Sequence, residues 1–187
     1  MINSIENRYN SANDLLTSLA KDENFAITAP IDINQIAESL NLKINYEMNL
    51  DDTVGSISFC EDGAVITINQ FENTFEPRRR FTLAHEIGHY CLHSSSDRKE
   101  FVDNRKTMSR SGSYWDIYES EANHFAAELL MPKDLVVEKG KEIIESYLAG
   151  TSKEKMPAKQ FIADMSSLFK TSNPAMEYRL KNLGFIK

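Results

Sequence analysis

A chain of 187 residues, 41% apolar and 26% charged, has the size and balance of one compact domain with a decent core and room for a small appendage. Its net charge of −7 argues against nucleic acid as a whole-surface partner, leaving at most a local basic patch, and two cysteines, Cys60 and Cys91, are too few for a disulfide framework. No basic segment leads into an apolar stretch at the N-terminus and no run approaches the roughly 20 apolar residues of a bilayer crossing, so the expected setting is cytoplasmic, with reduced thiols and no membrane partner.

Ala12, Leu15, Leu16 and Leu19 recur at helical spacing, which predicts an opening amphipathic helix within Ile5–Lys21. Ala29-Pro30 breaks it. Asp32, with Gln35 three residues on, resembles a capping box, and Ile33, Ile36, Ala37 and Leu40 give a second helix its apolar side. Candidate strands follow at Lys43–Glu47, Val54–Cys60 and Ala64–Asn69, the last two flanking a hairpin loop at Glu61-Asp62-Gly63. Ile66 and Ile68 share one face of their strand, whereas its partner carries Ser56, Ser58 and Cys60. So weakly hydrophobic a strand suits a sheet edge, whose unpaired N–H and C=O groups can take up an extended peptide. Gly55, Ser56, Ile57 and Ser58 are therefore candidate substrate-binding positions.

The next segment, Arg80–His93, holds His85-Glu86-x-x-His89. Pro77 fits the first helical position, where its missing N–H costs nothing, and no later proline interrupts the pattern. Residues four apart on a helix have Cβ atoms roughly 5–6 Å apart, so the two imidazoles can converge on one zinc ion at roughly 2.0–2.1 Å. Glu86, about 100° round from His85, flanks that ion and can take a proton from an activated water and later give it to a leaving amine. The bland alternative is a pair of satisfied core histidines. Phe81, Ala84, Gly88 and Leu92 form an arc beside them. Gly88, which costs up to about 1 kcal/mol of helix propensity relative to alanine, is better explained by close packing of another element. His93 lies on the same stripe one turn further, where a helix-end cap or substrate contact is expected of it rather than ligation. Cys91 reads as a small buried hydrophobe.

Ser94–Ser113 is polar, mixed in charge and poor in apolar residues, and reads as a long surface loop. Tyr114–Met131 then predicts a second strong helix, stopped by Pro132. Its wide apolar arc runs through Trp115, Tyr118, Ala122, Phe125, Ala126, Leu129 and Leu130, with Glu119 inside it. Ser120, Glu121, His124 and Glu128 face the other way. A carboxylate among apolar residues is costly unless paired or bound to a metal, so Glu119 is the expected third ligand. Asn123, one turn on, is placed to hold a histidine's second ring nitrogen. Tyr90, Tyr114, Tyr118 and His124 are the candidates for stabilising an oxyanion. A longer motif with a third histidine would need glycine and histidine where Leu92 and Ser95 stand.

The tail predicts a helix around Leu135–Leu148 and a pair near Ala158–Phe169 and Pro174–Asn182, which resembles a helix-turn-helix. It is locally basic, with Lys159, Lys170, Arg179, Lys181 and Lys187 against Asp164 and Glu177. A cap packed on the first domain is favoured over DNA binding, which makes nucleic acid a possible but not a preferred partner. The fold class is thus α+β: a domain over residues 1–132 with a small mixed or antiparallel three-stranded sheet packed on helices, and a helical cap over 133–187.

The run from Arg80 to His89, the run Glu119-x-x-Ala122-Asn123-x-Phe125 through Pro132, and Ala175-Met176-x-x-Arg179-Leu180-x-x-Leu183-Gly184 together resemble the ImmA/IrrE family of zinc metallopeptidases. The likeness extends over essentially the whole chain. It implies a zincin-like, gluzincin-type domain with zinc held by His85, His89 and Glu119, and Glu86 as general base. It also implies a substrate class, helix-turn-helix repressors or antitoxins, cleaved to release phage, mobile-element, stress or defence genes. Some members carry a fused N-terminal helix-turn-helix that this sequence lacks, so the partner is expected to be a separate protein. The alternative is a zincin-fold regulator or toxin that binds a partner with little turnover.

Overall fold

The structure, a computed structural model, describes residues 9–23, 25–48, 52–60, 63–96, 98–104 and 117–186. In chain order these form α1 (Ala12–Leu19), α2 (Ile33–Ser39), β1 (Lys43–Glu47), β2 (Thr53–Cys60), β3 (Gly63–Asn69), α3 (Glu76–His93), β4 (Glu100–Asn104), α4 (Ile117–Leu130), α5 (Lys133–Ala149), α6 (Ala158–Phe169) and α7 (Asn173–Asn182). Residues 61–62 of the expected hairpin loop, and Tyr114 and Trp115 of the expected second helix, lie outside the described residues.

Local chemistry sets the early elements. The Ser11 hydroxyl accepts the Asp14 N–H at the start of α1, and the Asp32 carboxylate accepts the N–H groups of Asn34 and Gln35 at the start of α2. Alternation buries Ala64, Ile66 and Ile68 of β3, and all three join a core that also takes Leu15, Ile36 and Ile57.

The sheet is four-stranded and mixed, in the order β1-β3-β2-β4, with β1 parallel to β3 and the other pairs antiparallel. Two expectations change. Part of the segment read as a loop is strand β4. In consequence β2 is an inner strand, so Gly55, Ser56, Ile57 and Ser58 do not form an edge and their backbones are already paired on both sides. The serines that made β2 look like an edge serve a neighbour instead: the Ser58 hydroxyl donates to Glu100 Oε1 at 2.8 Å.

Helix α3 is buried continuously from Thr82 to Cys91, as befits a helix covered on more than one side. Glu86 and Thr82 meet β2 at Gly55, where an added Cβ would stand 2.6 Å from Glu86 Oε1 and from the Thr82 methyl. Gly88 turns to α4, and a Cβ there would lie 3.2 Å from the Ala122 backbone. The close packing expected at Gly88 is present. A buried network fixes β2 to this helix: Asn73 donates to Val54 O, and Thr82 donates to Asn73 Oδ1.

The C-terminal helices share the same core through Met165, Phe169, Met176 and Leu180. Arg179, one of the basic residues of the tail, is buried and donates from Nε to Met131 O at 3.0 Å. Among the described residues no helix is long and apolar enough to cross a membrane.

Candidate metal centre

Four residues apart in the second half of α3, His85 and His89 share one face, and their Nε2 atoms stand 3.0 Å apart. Helix α4, brought close by Gly88, sets Glu119 against both: Oε2 lies 3.3 Å from His85 Nε2 and Oε1 lies 3.4 Å from His89 Nε2. Strand β4 adds Asp103, whose Oδ2 is 2.7 Å from His85 Nε2. The side chains of His85, His89 and Asp103 are closed to solvent, and that of Glu119 is 14% exposed.

These groups reshape one another's titration. Burial works against charge on His85, but the Asp103 and Glu119 carboxylates outweigh it and hold its pKa well above the usual range. For Glu119 burial would raise the pKa, yet the hydrogen bonds of His85 and His89 carry it below the ordinary carboxylate range. His89 is pulled down by burial against the opposing pull of Glu119. Glu86, wholly buried, is pushed well up by burial and then by the charge of Asp103.

The residues fit a cation. Single donor atoms from His85, His89, Asp103 and Glu119 all lie within 4.8 Å of one another. Ligand atoms around a tetrahedral ion at about 2.0–2.2 Å are themselves about 3.3–3.6 Å apart, and the Glu119 distances match that spacing. An imidazole nitrogen has one proton or one lone pair, so His85 Nε2 cannot satisfy His89, Glu119 and Asp103 by hydrogen bonding. Convergence on one cation resolves the crowding. Both oxygens of Glu86 and of Asp103 are buried without a hydrogen-bond partner, a cost that a cation among the four residues would relieve. Imidazole and carboxylate donors suit zinc and other first-row divalent ions alike.

The other candidates divide. His93 supports the cluster from behind, with Nδ1 3.0 Å from His89 Nδ1 and Nε2 3.0 Å from Glu121 Oε2. When His89 offers its Nε2 lone pair, its Nδ1–H donates to His93 Nδ1 and His93 Nε2–H donates to Glu121, one consistent set of tautomers. Asn123 does not take that supporting place, since His85 Nδ1 has no partner and His89 Nδ1 faces His93. Tyr118 packs edge-on against His93, with ring centroids 4.8 Å apart. Tyr90 is buried in the apolar core, and His124 is exposed beside Glu128, away from the cluster. Tyr114 lies outside the described residues. Burial pushes the Cys91 thiol up, in keeping with a small core hydrophobe.

Sequence reasoning missed Asp103, and with it Phe101, which stacks on His89 at 4.3 Å and 18°. The available signal was the alternation Phe101-Val102-Asp103, inward-outward-inward, too short to stand out in a polar stretch.

Among known families, Peptidase_M78, described as the IrrE N-terminal-like domain, matches residues 33–181, a span that takes in the whole cluster. No curated protein matches the chain.

Proposed function

The chain belongs to the Peptidase_M78 family, and on that premise we propose that it is a zinc-dependent endopeptidase acting on one protein partner, a helix-turn-helix repressor or an antitoxin, so that phage, mobile-element, stress or defence genes are released. The observation that carries this reading is Glu86. It is a fully buried carboxylate with both oxygens unpartnered, next to a histidine pair that converges with Glu119.

His85, His89 and Glu119 would hold the ion, and His93 with Glu121 would keep the His89 ring turned toward it. Zinc bound there supplies Lewis acidity, polarising the scissile carbonyl and acidifying a water molecule. Glu86 takes up a proton at a carboxylate oxygen and hands it to the departing amine. Its burial suits the interval between those steps, because a carboxyl in apolar surroundings holds a proton more readily. Gly55 leaves Glu86 its place, since any side chain there would collide with it.

His85, Glu86 and His89 are closed to solvent. That favours an enzyme that opens for one partner over one that digests unfolded chains, and it also gives weight to a second reading, a partner-binding regulator with little turnover. Incubating the purified protein with a candidate helix-turn-helix repressor, with and without chelator, separates the two. Discrete fragments that chelator abolishes and added zinc restores are expected. A stable complex with the repressor left intact overturns the endopeptidase in favour of the regulator.

A further inference from the structure

Asp103 is the one member of the cluster that neither α3 nor α4 supplies. It sits on β4 opposite Gly55 of β2, beside a shift of register between Thr53 and Gly55. Residues paired across an antiparallel ladder project to the same face, so Asp103 lies on the face of the sheet that Glu86 covers at Gly55.

Asp103 is wholly buried. Its Oδ2 is nearer to His85 Nε2, at 2.7 Å, than Glu119 is at 3.3 Å, yet neither Asp103 oxygen has the alignment of a hydrogen bond with any donor. At 2.7 Å the two atoms form a buried ion pair, closer than two donors on one tetrahedral ion, so a cation shared with His85 would replace that ion pair and ease the two groups apart. His89 and Glu119 address the same region.

We propose that Asp103 is a fourth ligand of the cation held by His85, His89 and Glu119, and that it closes the coordination sphere and keeps the centre latent until β4 moves. The proposal rests on the metal reading above but not on the identity of any substrate. Three protein ligands leave the open position that catalysis requires, whereas four make the closed set of a structural site. Strand β4 is suited to a latch. It is five residues long and, among the described residues, pairs with β2 alone at the end of the sheet. It carries both the carboxylate on His85 and the Phe101 ring stacked on His89, so a single displacement uncovers both histidines. A partner that draws β4 away opens the coordination position and the path to Glu86 together.

The test uses the full chain loaded with Co2+ in place of zinc, its visible absorption read while acetate is added. In the wild type the bands are expected to stay unchanged, because no position is open. In Asp103→Ala they are expected to shift with acetate, and competition with a chelator should show Zn2+ bound at least about tenfold more weakly. A wild-type spectrum that responds to acetate as readily as the variant's overturns the latch, and this arm needs no variant to fold. A folded Asp103→Ala that ignores acetate, or that keeps its full Zn2+ affinity, overturns it as well. Failure of the wild type to take up either metal would instead remove the metal reading on which the latch rests. Cleavage is not measured, so a protein that keeps its closed spectrum yet never cuts a repressor retains the latch and loses the endopeptidase.

Discussion

Helix α3 and strand β4 bring chemistry to the same few ångströms by different routes. In α3 the spacing of His85, Glu86 and His89 fixes their directions before any other part of the chain is considered, and burial from Thr82 to Cys91 merely holds the helix in place. In β4 the five residues have no geometry of their own. Asp103 faces His85 because β4 pairs with β2 in one register, and a slip of one residue would turn Asp103 outward and Val102 in. Chemistry written in a helix is local and robust; chemistry written in an edge strand depends on docking and can be switched by undocking.

The largest break in the comparison should come from the helix side. Glu86→Gln keeps shape and volume but cannot accept the proton, so cleavage of the partner repressor should fall by about 10²–10⁴-fold while metal content and melting temperature hold. Full activity with metal retained would remove Glu86 from the mechanism. Loss of metal as well would make it a ligand.

Next in size are the two glutamates of α4. Glu119→Ala removes a direct donor, and metal affinity should drop by more than about 100-fold, beyond what supporting residues usually cost. Glu121, its side chain 51% exposed, touches the centre only through His93, so Glu121→Ala should cost about tenfold or less. Chelator competition on both purified variants decides it. The reverse order would place the donor two residues along the helix.

These contrasts also explain what was legible in the sequence. The helical spacing of α3 and the apolar arc that captures Glu119 are short-range periodicities, and the structure brings those residues together. The first three strands came from alternation, with bounds within a residue of those observed. Strand order was not legible. Ser56 and Ser58 suggested water beyond β2, when the Ser58 hydroxyl in fact meets Glu100 across a further strand. In β4 itself only Phe101 and Val102 have high strand preference, and a buried aspartate reads as polar loop until its neighbours are known. The network of Asn73 and Thr82 was equally silent, because hydrogen bonds between distant residues leave no period.

Gly55 belongs to both regions, paired with Asp103 and facing Glu86. Gly55→Ala would set a methyl 2.6 Å from Glu86 Oε1 and from the Thr82 methyl, so something must shift. Overpacking of this kind costs about 1–3 kcal/mol. Thermal unfolding should show that loss, and partner cleavage should fall further than stability alone explains, because the displaced atom is the proton acceptor. A variant with unchanged melting temperature and activity would mean that β2 stands farther from α3 than the structure places it.

The smallest expected effect sharpens the comparison most. The Ser58 hydroxyl and Glu100 tie the start of β4 to β2 with an exposed hydrogen bond of 2.8 Å. Ser58→Ala strands no buried group, since water can replace the lost donor at Glu100, so the cost should sit near the low end for such bonds, about 0.5 kcal/mol. If β4 docks and undocks on its own, that loss falls on β4 alone. Amide hydrogen exchange there should quicken about twofold, while amides of α3, released only by opening of the core, keep their rates. Equal acceleration in both would mean that strand and helix open as one unit. The contrast between a fixed helix and a movable strand would then collapse, and with it the route by which a partner could lift Asp103 from the metal without unfolding the site.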